Sequence, residues 1–162
     1  MTRAEIDAAT DEEVDRIILD ALSRRLGWIG ARHEYDSVRR LSPGLRMLWS
    51  TDVVDGEIQN GGFNQLCWNR YDLYAADAIE GFRLIGAEEH ARLVEGALKV
   101  FEEEWPRLEP FYAEGTLEAF SNSCEHTGLE GLEAEWLFQG LDFRAKRLSY
   151  IRAHPEEFVL DN

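Results

Sequence analysis

Histidine, cysteine and carboxylate side chains are the groups in this sequence that could hold a metal ion. A di-iron site in a helical bundle needs Glu-x-x-His on two helices. The residues three positions before the four histidines are Gly30, Ala87, Ser123 and Ile151, and none of these is a ligand. No His-Glu-x-x-His occurs either. The spacing predicts no metal site and favours surface positions for the histidines.

The sequence also lacks the spacing of a nucleophilic or nucleotide-binding site. Gly-x-Ser-x-Gly and the glycine patterns of phosphate and dinucleotide loops are absent. Cys67 and Cys124 have no basic neighbours that would favour the thiolate. We expect them to be small buried hydrophobes in a reducing cytoplasm. No catalytic residue and no cofactor is predicted, and a small enzyme that uses paired carboxylates remains a distant third interpretation.

A cluster of amide side chains could bind a ligand or serve the fold. It could line a polar groove that reads a peptide, or it could satisfy backbone groups left open where two helices meet. The second interpretation is favoured because Asn60 is a plausible N-cap and Gly61 and Gly62 permit a sharp corner before Phe63. The amides are Gln59, Asn60, Asn64, Gln65 and Asn69.

The acidic residues are unevenly distributed along the chain. The net charge of −15 disfavours direct binding to nucleic acid or to an anionic membrane. Residues 21–50 carry six arginines against two acids, whereas residues 51–141 carry nineteen acids against five bases. Residues 101–141 contain ten glutamates and a single arginine. The predicted partner-binding residues are Glu102, Glu103, Glu104, Glu109, Glu114, Glu118, Glu130, Glu133 and Glu135.

These glutamates have two interpretations. They could be solvated helix faces in which glutamate serves helix propensity, with some of them paired to the arginines of residues 21–50 or 144–152. They could instead form an anionic surface that imitates the phosphate rows of duplex DNA and attracts proteins with a basic groove.

Helical periodicity predicts the elements that would carry these residues. The length of 162 residues with 44% apolar content suits one domain over residues 1–162, and no apolar run is long enough to span a membrane. No segment alternates at period two, so we predict an all-α multi-helix bundle with a Gly-Gly corner between helices. The first predicted helix begins after Thr10-Asp11-Glu12-Glu13 and ends at Gly27, and residues 28–41, with Trp28, Ile29 and Tyr35, predict a loop or short helix. A second long helix is predicted to begin at Ser42-Pro43. The other predicted helices are Asp72 to Gly86, Glu88 to Pro106, two short ones at Leu117–Cys124 and Leu129–Trp136, and a last one at Asp142–Ala153.

Four sequence segments resemble a known family. EIQNGGFNQ, then WN, then AADAIEGFRLIGA and finally YIRAHPEEF are similar to the bacterial NGGF family, a largely uncharacterised domain that includes a DNA-mimic protein. The similarity covers about residues 45–160. The chain departs from the family after Trp68-Asn69, where Arg70, Tyr71 and Asp72 replace a small residue and glycine.

The resemblance and the acidic segment together predict a non-enzymatic cytoplasmic protein. It would bind a basic DNA-binding protein, namely a transcription regulator or a histone-like protein, and compete with DNA. The alternative is a helical interaction module, such as an immunity or antitoxin-like protein that blocks a basic toxin.

Overall fold

The structure is a computed structural model that describes residues 1–27, 31–70, 73–139 and 142–160. These residues form nine α-helices and one 3-10 turn and contain no strand, which confirms the predicted all-α class. The helices are α1 Arg3–Ala8, α2 Val14–Leu26, α3 Ala31–Val38, α4 Pro43–Arg70, α5 Ala75–Leu84, α6 Glu88–Glu114, α7 Leu117–Cys124, α8 Glu130–Gln139 and α9 Asp142–Ala153, and the 3-10 turn covers Pro155–Phe158.

The N-terminal region contains a helix that periodicity did not predict. Helix α1 has a complete capping box, because the Thr2 side chain accepts from the Glu5 N–H and the Glu5 carboxylate accepts from the Thr2 N–H. Its single buried residue, Ile6, leaves no repeating stripe to detect. Helix α2 begins and ends where predicted, with Gly27 at φ 63° closing it.

The two glycines do break the fourth helix. Helix α4 starts at Pro43, and Ser42 accepts from the Leu45 N–H as the predicted cap. Gly61 has φ −157° and ψ 28°, and Gly62 has φ 73° and ψ −173°, so neither is helical. The predicted N-cap Asn60 is exposed and makes no cap hydrogen bond among the described residues. The corner therefore depends on the glycines themselves.

Helix α6 continues past both of its prolines, so the prediction that Pro106 ends it is wrong. Pro106 and Pro110 lie inside Glu88–Glu114. The ring centroids of Phe101 and Tyr112 are 5.4 Å apart, although this stretch of straight helix would separate the two Cα atoms by about 16 Å. The helix axis must bend sharply between the rings, because proline removes a backbone donor and crowds the preceding turn.

An aromatic cluster in the core joins the second half of α4 to α6, α8 and α9. Trp136 and Phe63 are fully buried, with ring centroids 5.7 Å apart. His90 lies 4.9 Å from Trp136 and 5.0 Å from Phe143 between ring centroids. His90 is only 3% exposed, so its predicted surface position is wrong. An imidazole has flat apolar faces, which lets it pack as a core aromatic ring here.

Helix α9 is attached to the N-terminal half by arginines. The buried Arg147 donates from Nε to Asp15 Oδ2 at 2.8 Å. Arg152 donates to the Ile6 and Ala9 carbonyls at 2.8 and 2.7 Å, which satisfies the open end of α1. These hydrogen bonds connect segments more than a hundred residues apart in sequence, and they attach α9 to α1 and α2.

The predicted Asp72 cap, together with Trp28, Ile29, Tyr71 and the side chain of His33, lies outside the described residues. No helix in the described part of the chain combines the length and apolar character needed to cross a membrane.

Candidate partner-binding surface

All nine predicted glutamates lie on three consecutive helices. Five are on the C-terminal half of α6, Glu118 is on α7, and the remaining three are on α8. Helix α6 packs against both α7 and α8. We call residues 101–139, which span these three stretches, the acidic unit. Arg107 is the one lysine or arginine in the acidic unit.

Three of the glutamates connect segments that are far apart in the sequence. Glu104 accepts from the Gly128 N–H at 3.2 Å and pairs with Arg107 at 2.7 Å. Glu135 pairs with Arg92 of α6. Glu133 accepts from the Asn64 side chain at 3.4 Å. Each of these carboxylates has a structural role beside any role toward a partner.

Other glutamates of the unit face solvent. Glu109, Glu118 and Glu130 are exposed and have no ion pair among the described residues. Glu103 is also exposed, and its pair with Lys99 at 3.9 Å is of the weak surface kind. The C-terminal end of α6 and its neighbours therefore present carboxylates that little positive charge offsets.

The arginines that could have neutralised this surface pair elsewhere. Arg39 and Arg46 both lie within 4 Å of Asp77, and Arg144 pairs with Asp55 at 2.8 Å. The ion pairs of Arg147 and Arg152 also go to aspartates, which are Asp11, Asp15 and Asp52. The expectation that these basic segments would cancel part of the glutamate charge is wrong for these five arginines.

Among the residues that the structure describes, side chains of the amide cluster donate to carboxylates and not to open backbone groups. Gln65 and Asn69 donate to Glu57 Oε2 at 2.8 and 2.9 Å. Gln59 donates to Asp55 at 3.4 Å. Glu57 was not singled out from the sequence, because the break in α4 is what brings it within reach of both amides.

Glu133 also contacts the glycine corner. A Cβ placed on Gly62 would lie 2.0 Å from Glu133 Oε1. At Gly61 the nearest atom would be the Gln65 Oε1 at 2.3 Å, which is the far end of a flexible side chain. Glu133 also ends in a flexible carboxylate, so the stronger constraint at residue 62 is its φ of 73°, which favours glycine.

An aromatic cavity of about 470 Å³ opens between the second half of α4 and the part of α6 that belongs to the acidic unit. Rings of Trp68, Phe101, Trp105 and Tyr112 line it. Tyr112 is the centre of the group, with ring centroids 4.4 Å from Trp68, 5.4 Å from Phe101 and 5.2 Å from Trp105. Sequence reasoning missed this cavity because a straight α6, or one ending at Pro106, would keep Tyr112 away from Phe101.

Within the described residues, no group of three or more histidine, cysteine, aspartate or glutamate side chains could hold a metal ion. Cys67 is buried, as predicted, whereas Cys124 is only half-buried, so the prediction is wrong for Cys124. Burial raises the pKa of the Cys67 thiol to about 12. The thiol therefore stays protonated at neutral pH and is a poor nucleophile.

A comparison with known families assigns most of the chain to one of them. A family described as DMP19-like protein matches residues 39–154, which is most of the chain. The chain belongs to the DMP19-like family. This is a family of DNA-mimic proteins, which confirms the predicted likeness to a family with a DNA mimic. The association of that family with the NGGF motif stays a prediction. Neither the curated proteins nor the solved structures gave a match.

Proposed function

We propose that this protein is a non-enzymatic DNA mimic that occupies the DNA-binding groove of a basic protein. The partner would be a transcription regulator or a histone-like protein. The observation that carries the proposal is the exposed carboxylate set Glu109, Glu118 and Glu130 on a unit with a single arginine. Membership of a DNA-mimic family supports the same function.

The physical basis is substitution of carboxylates for phosphates. Proteins that bind DNA present lysine and arginine side chains whose affinity depends on neutralising phosphate charge. A rigid helical surface with exposed glutamates offers these cations the same sign of charge without a nucleic acid. Binding that depends on many exposed charges weakens steeply as salt is added.

The test begins with identification of the partner. Purified protein captures bacterial proteins at low salt, and mass spectrometry identifies them. Each captured DNA-binding protein is then purified and titrated with this protein in the presence of labelled duplex DNA. We expect this protein to displace the duplex, with an apparent affinity that falls as salt rises.

A matched pair of triple variants assigns the surface. The first variant combines Glu109→Lys, Glu118→Lys and Glu130→Lys. The control combines Glu12→Lys, Asp36→Lys and Glu80→Lys, which are exposed acids outside the acidic unit without an ion pair among the described residues. Both variants change the net charge from −15 to −9, because each of three substitutions adds two charges.

We expect the first variant to lose displacement of DNA by more than tenfold and the control to lose much less. Equal losses would mean that total charge, and not this surface, attracts the partner. A partner that holds this protein and duplex DNA at the same time, with unchanged affinities, would contradict mimicry and favour an interaction module of the immunity type.

A further inference from the structure

A small cavity of about 180 Å³ lies between the start of α4 and one face of α5. Arg46 lines it from α4, and Asp77, Glu80, Gly81 and Leu84 line it from α5 at the spacing of a single helix face. We propose that this cavity binds a free α-amino acid, with the ammonium group of the ligand on Asp77 and its carboxylate on Arg46. The inference does not depend on the proposed function, because it concerns the free protein and a small molecule.

Asp77 supplies the acceptor. Its side chain is 4% exposed, and its Oδ2 atom is buried without a hydrogen-bond partner among the described residues. Its Oδ1 atom lies 3.9 Å from Arg39 Nη1 and 3.8 Å from Arg46 Nε, which is too long for a hydrogen bond. A buried carboxylate is costly unless donors satisfy it. An ammonium group in the cavity would provide such donors, and its charge would strengthen the hydrogen bonds.

Arg46 supplies the donors. Its side chain is 28% exposed, and its guanidinium makes no hydrogen bond within the described residues, although it is rich in N–H groups. A guanidinium binds a carboxylate through two parallel N–H···O bonds, which gives both strength and orientation. Asp77 and Arg46 therefore require partners of opposite charge at one site.

The charges around the cavity select the class of ligand. Arg39 and Arg46 lie near Asp77, and Glu80 adds a second carboxylate to the lining, so positive and negative groups balance. A ligand with a single charge would attract one of the two lining groups and repel the other. A free α-amino acid carries both charges on one carbon atom, so it can contact two groups that lie this close together.

The size of the cavity limits the rest of the ligand. A volume of about 180 Å³ is smaller than that of a site for a drug-sized molecule. The apolar side chains of Met47 and Leu84 also line the cavity. They provide contact for a short aliphatic side chain, such as that of alanine.

The first experiment compares L-alanine with two analogues that each lack one charged group. L-alaninamide keeps the ammonium group, and propionate keeps the carboxylate. Each compound is titrated into isotope-labelled protein while the backbone amide signals of Gly81 and Leu84 are followed by NMR. We expect L-alanine to shift these signals saturably and to bind at least about tenfold more tightly than either analogue, because each analogue loses one charge-assisted contact.

Two results of this titration would overturn the proposal. If L-alanine shows no saturable binding, the cavity takes up water and not an amino acid. If either analogue binds as tightly as L-alanine, one of the two proposed contacts does not form.

Matched variants place the ligand in this cavity. Asp77→Asn removes the lining carboxylate, and Asp55→Asn does so at a similarly buried aspartate outside the described lining. Arg46→Gln removes the lining guanidinium, and Arg83→Gln does so on α5 outside the described lining. We expect about a fivefold or greater loss of L-alanine affinity in each cavity variant and no change in its control.

Circular dichroism checks that each variant is folded before its affinity is measured. Arg46 is partly exposed, so Arg46→Gln decides the question by itself if Asp77→Asn does not fold. Equal losses of affinity in a cavity variant and its control would overturn the assignment of the ligand to this cavity.

Discussion

Acidic side chains have opposite surroundings in two parts of this molecule. In the arginine-clamped part, formed by α2, the first half of α4 and α9, aspartates lie against arginines. Arg147 is 3% exposed and contacts both Asp15 and Asp52. In the acidic unit, long glutamate side chains extend from α6, α7 and α8 with only Arg107 among them. The acidic unit therefore carries most of the uncompensated negative charge, because the arginine-clamped part cancels much of its own.

The comparison shows why side-chain length matters to each role. An aspartate holds its carboxylate close to the backbone, so a pair with arginine fixes the distance between two helices. Glutamate keeps its carboxylate away from the backbone in solvent and costs little helix propensity. A total charge of −15 thus describes neither region well. A basic partner is attracted by the carboxylates that have no ion pair within the described part of the protein.

The largest expected effect is on the arginine-clamped part. Arg147→Met should lower the free energy of unfolding by about 3 kcal/mol, because it leaves Asp15 and Asp52 without their shared partner. Arg107→Met is the matched control in the acidic unit, and we expect a change below about 1 kcal/mol for this exposed pair. Urea unfolding monitored by circular dichroism measures both. Similar losses for the two variants would remove the distinction between the regions.

The next effect concerns the point where the acidic unit joins α4. Gly62→Ala should lower the free energy of unfolding by about 2 kcal/mol, because it adds a Cβ at positive φ and forces Glu133 to move. Gly86→Ala is a control with φ 72° and open space around the new Cβ, and it should cost about 1 kcal/mol.

Adding Glu133→Ala to Gly62→Ala tests the contact itself. The double variant should be less destabilised than the sum of the two single variants, because the second substitution removes the atoms that the new methyl group meets. Additive losses in urea unfolding would show that Glu133 is not held at the corner. Glu133 would then be available to a partner protein, as Glu130 is.

Periodicity predicted the helices well where several buried residues repeat along one face. The stripe Ala75, Ala78, Ile79 and Phe82 is buried in α5 as expected, and α9 has the predicted bounds. Helix α1 was missed because two turns with one buried residue give no period, although the Thr2-x-x-Glu5 spacing was a signal for its cap.

Features that depend on bends could be predicted only in part. Two adjacent glycines correctly indicated a corner, since few other residues tolerate φ 73°. Pro106 was misleading, because a proline in a packed helix can bend it without ending it. The aromatic cavity and the hydrogen bonds from Gln65 and Asn69 to Glu57 both follow from such bends. Their partners are far apart in a straight helix, so sequence spacing does not relate them.

The smallest expected effect concerns Asp52, at the edge of the arginine-clamped part. Burial raises the pKa of its carboxyl above the ordinary value, and this outweighs the opposite influence of Arg147. The folded protein thus favours the protonated form more than the unfolded chain does. The stabilisation that this gives is full below the ordinary pKa and is lost as pH rises through the folded pKa.

At pH 7, ionised Asp52 is therefore a small cost to stability. Asp52→Asn should raise the free energy of unfolding at pH 7 by less than about 1 kcal/mol, since the side chain is 42% exposed and solvent screens the effect. The gain should shrink as pH falls toward the ordinary carboxyl pKa of about 4, because the raised pKa lets the folded wild-type protein bind this proton more readily than the unfolded chain does. Urea unfolding at pH 7, 5.5 and 4 measures this trend. A loss of stability at pH 7 would instead show that Asp52, like Asp15, is held mainly by its pair with Arg147.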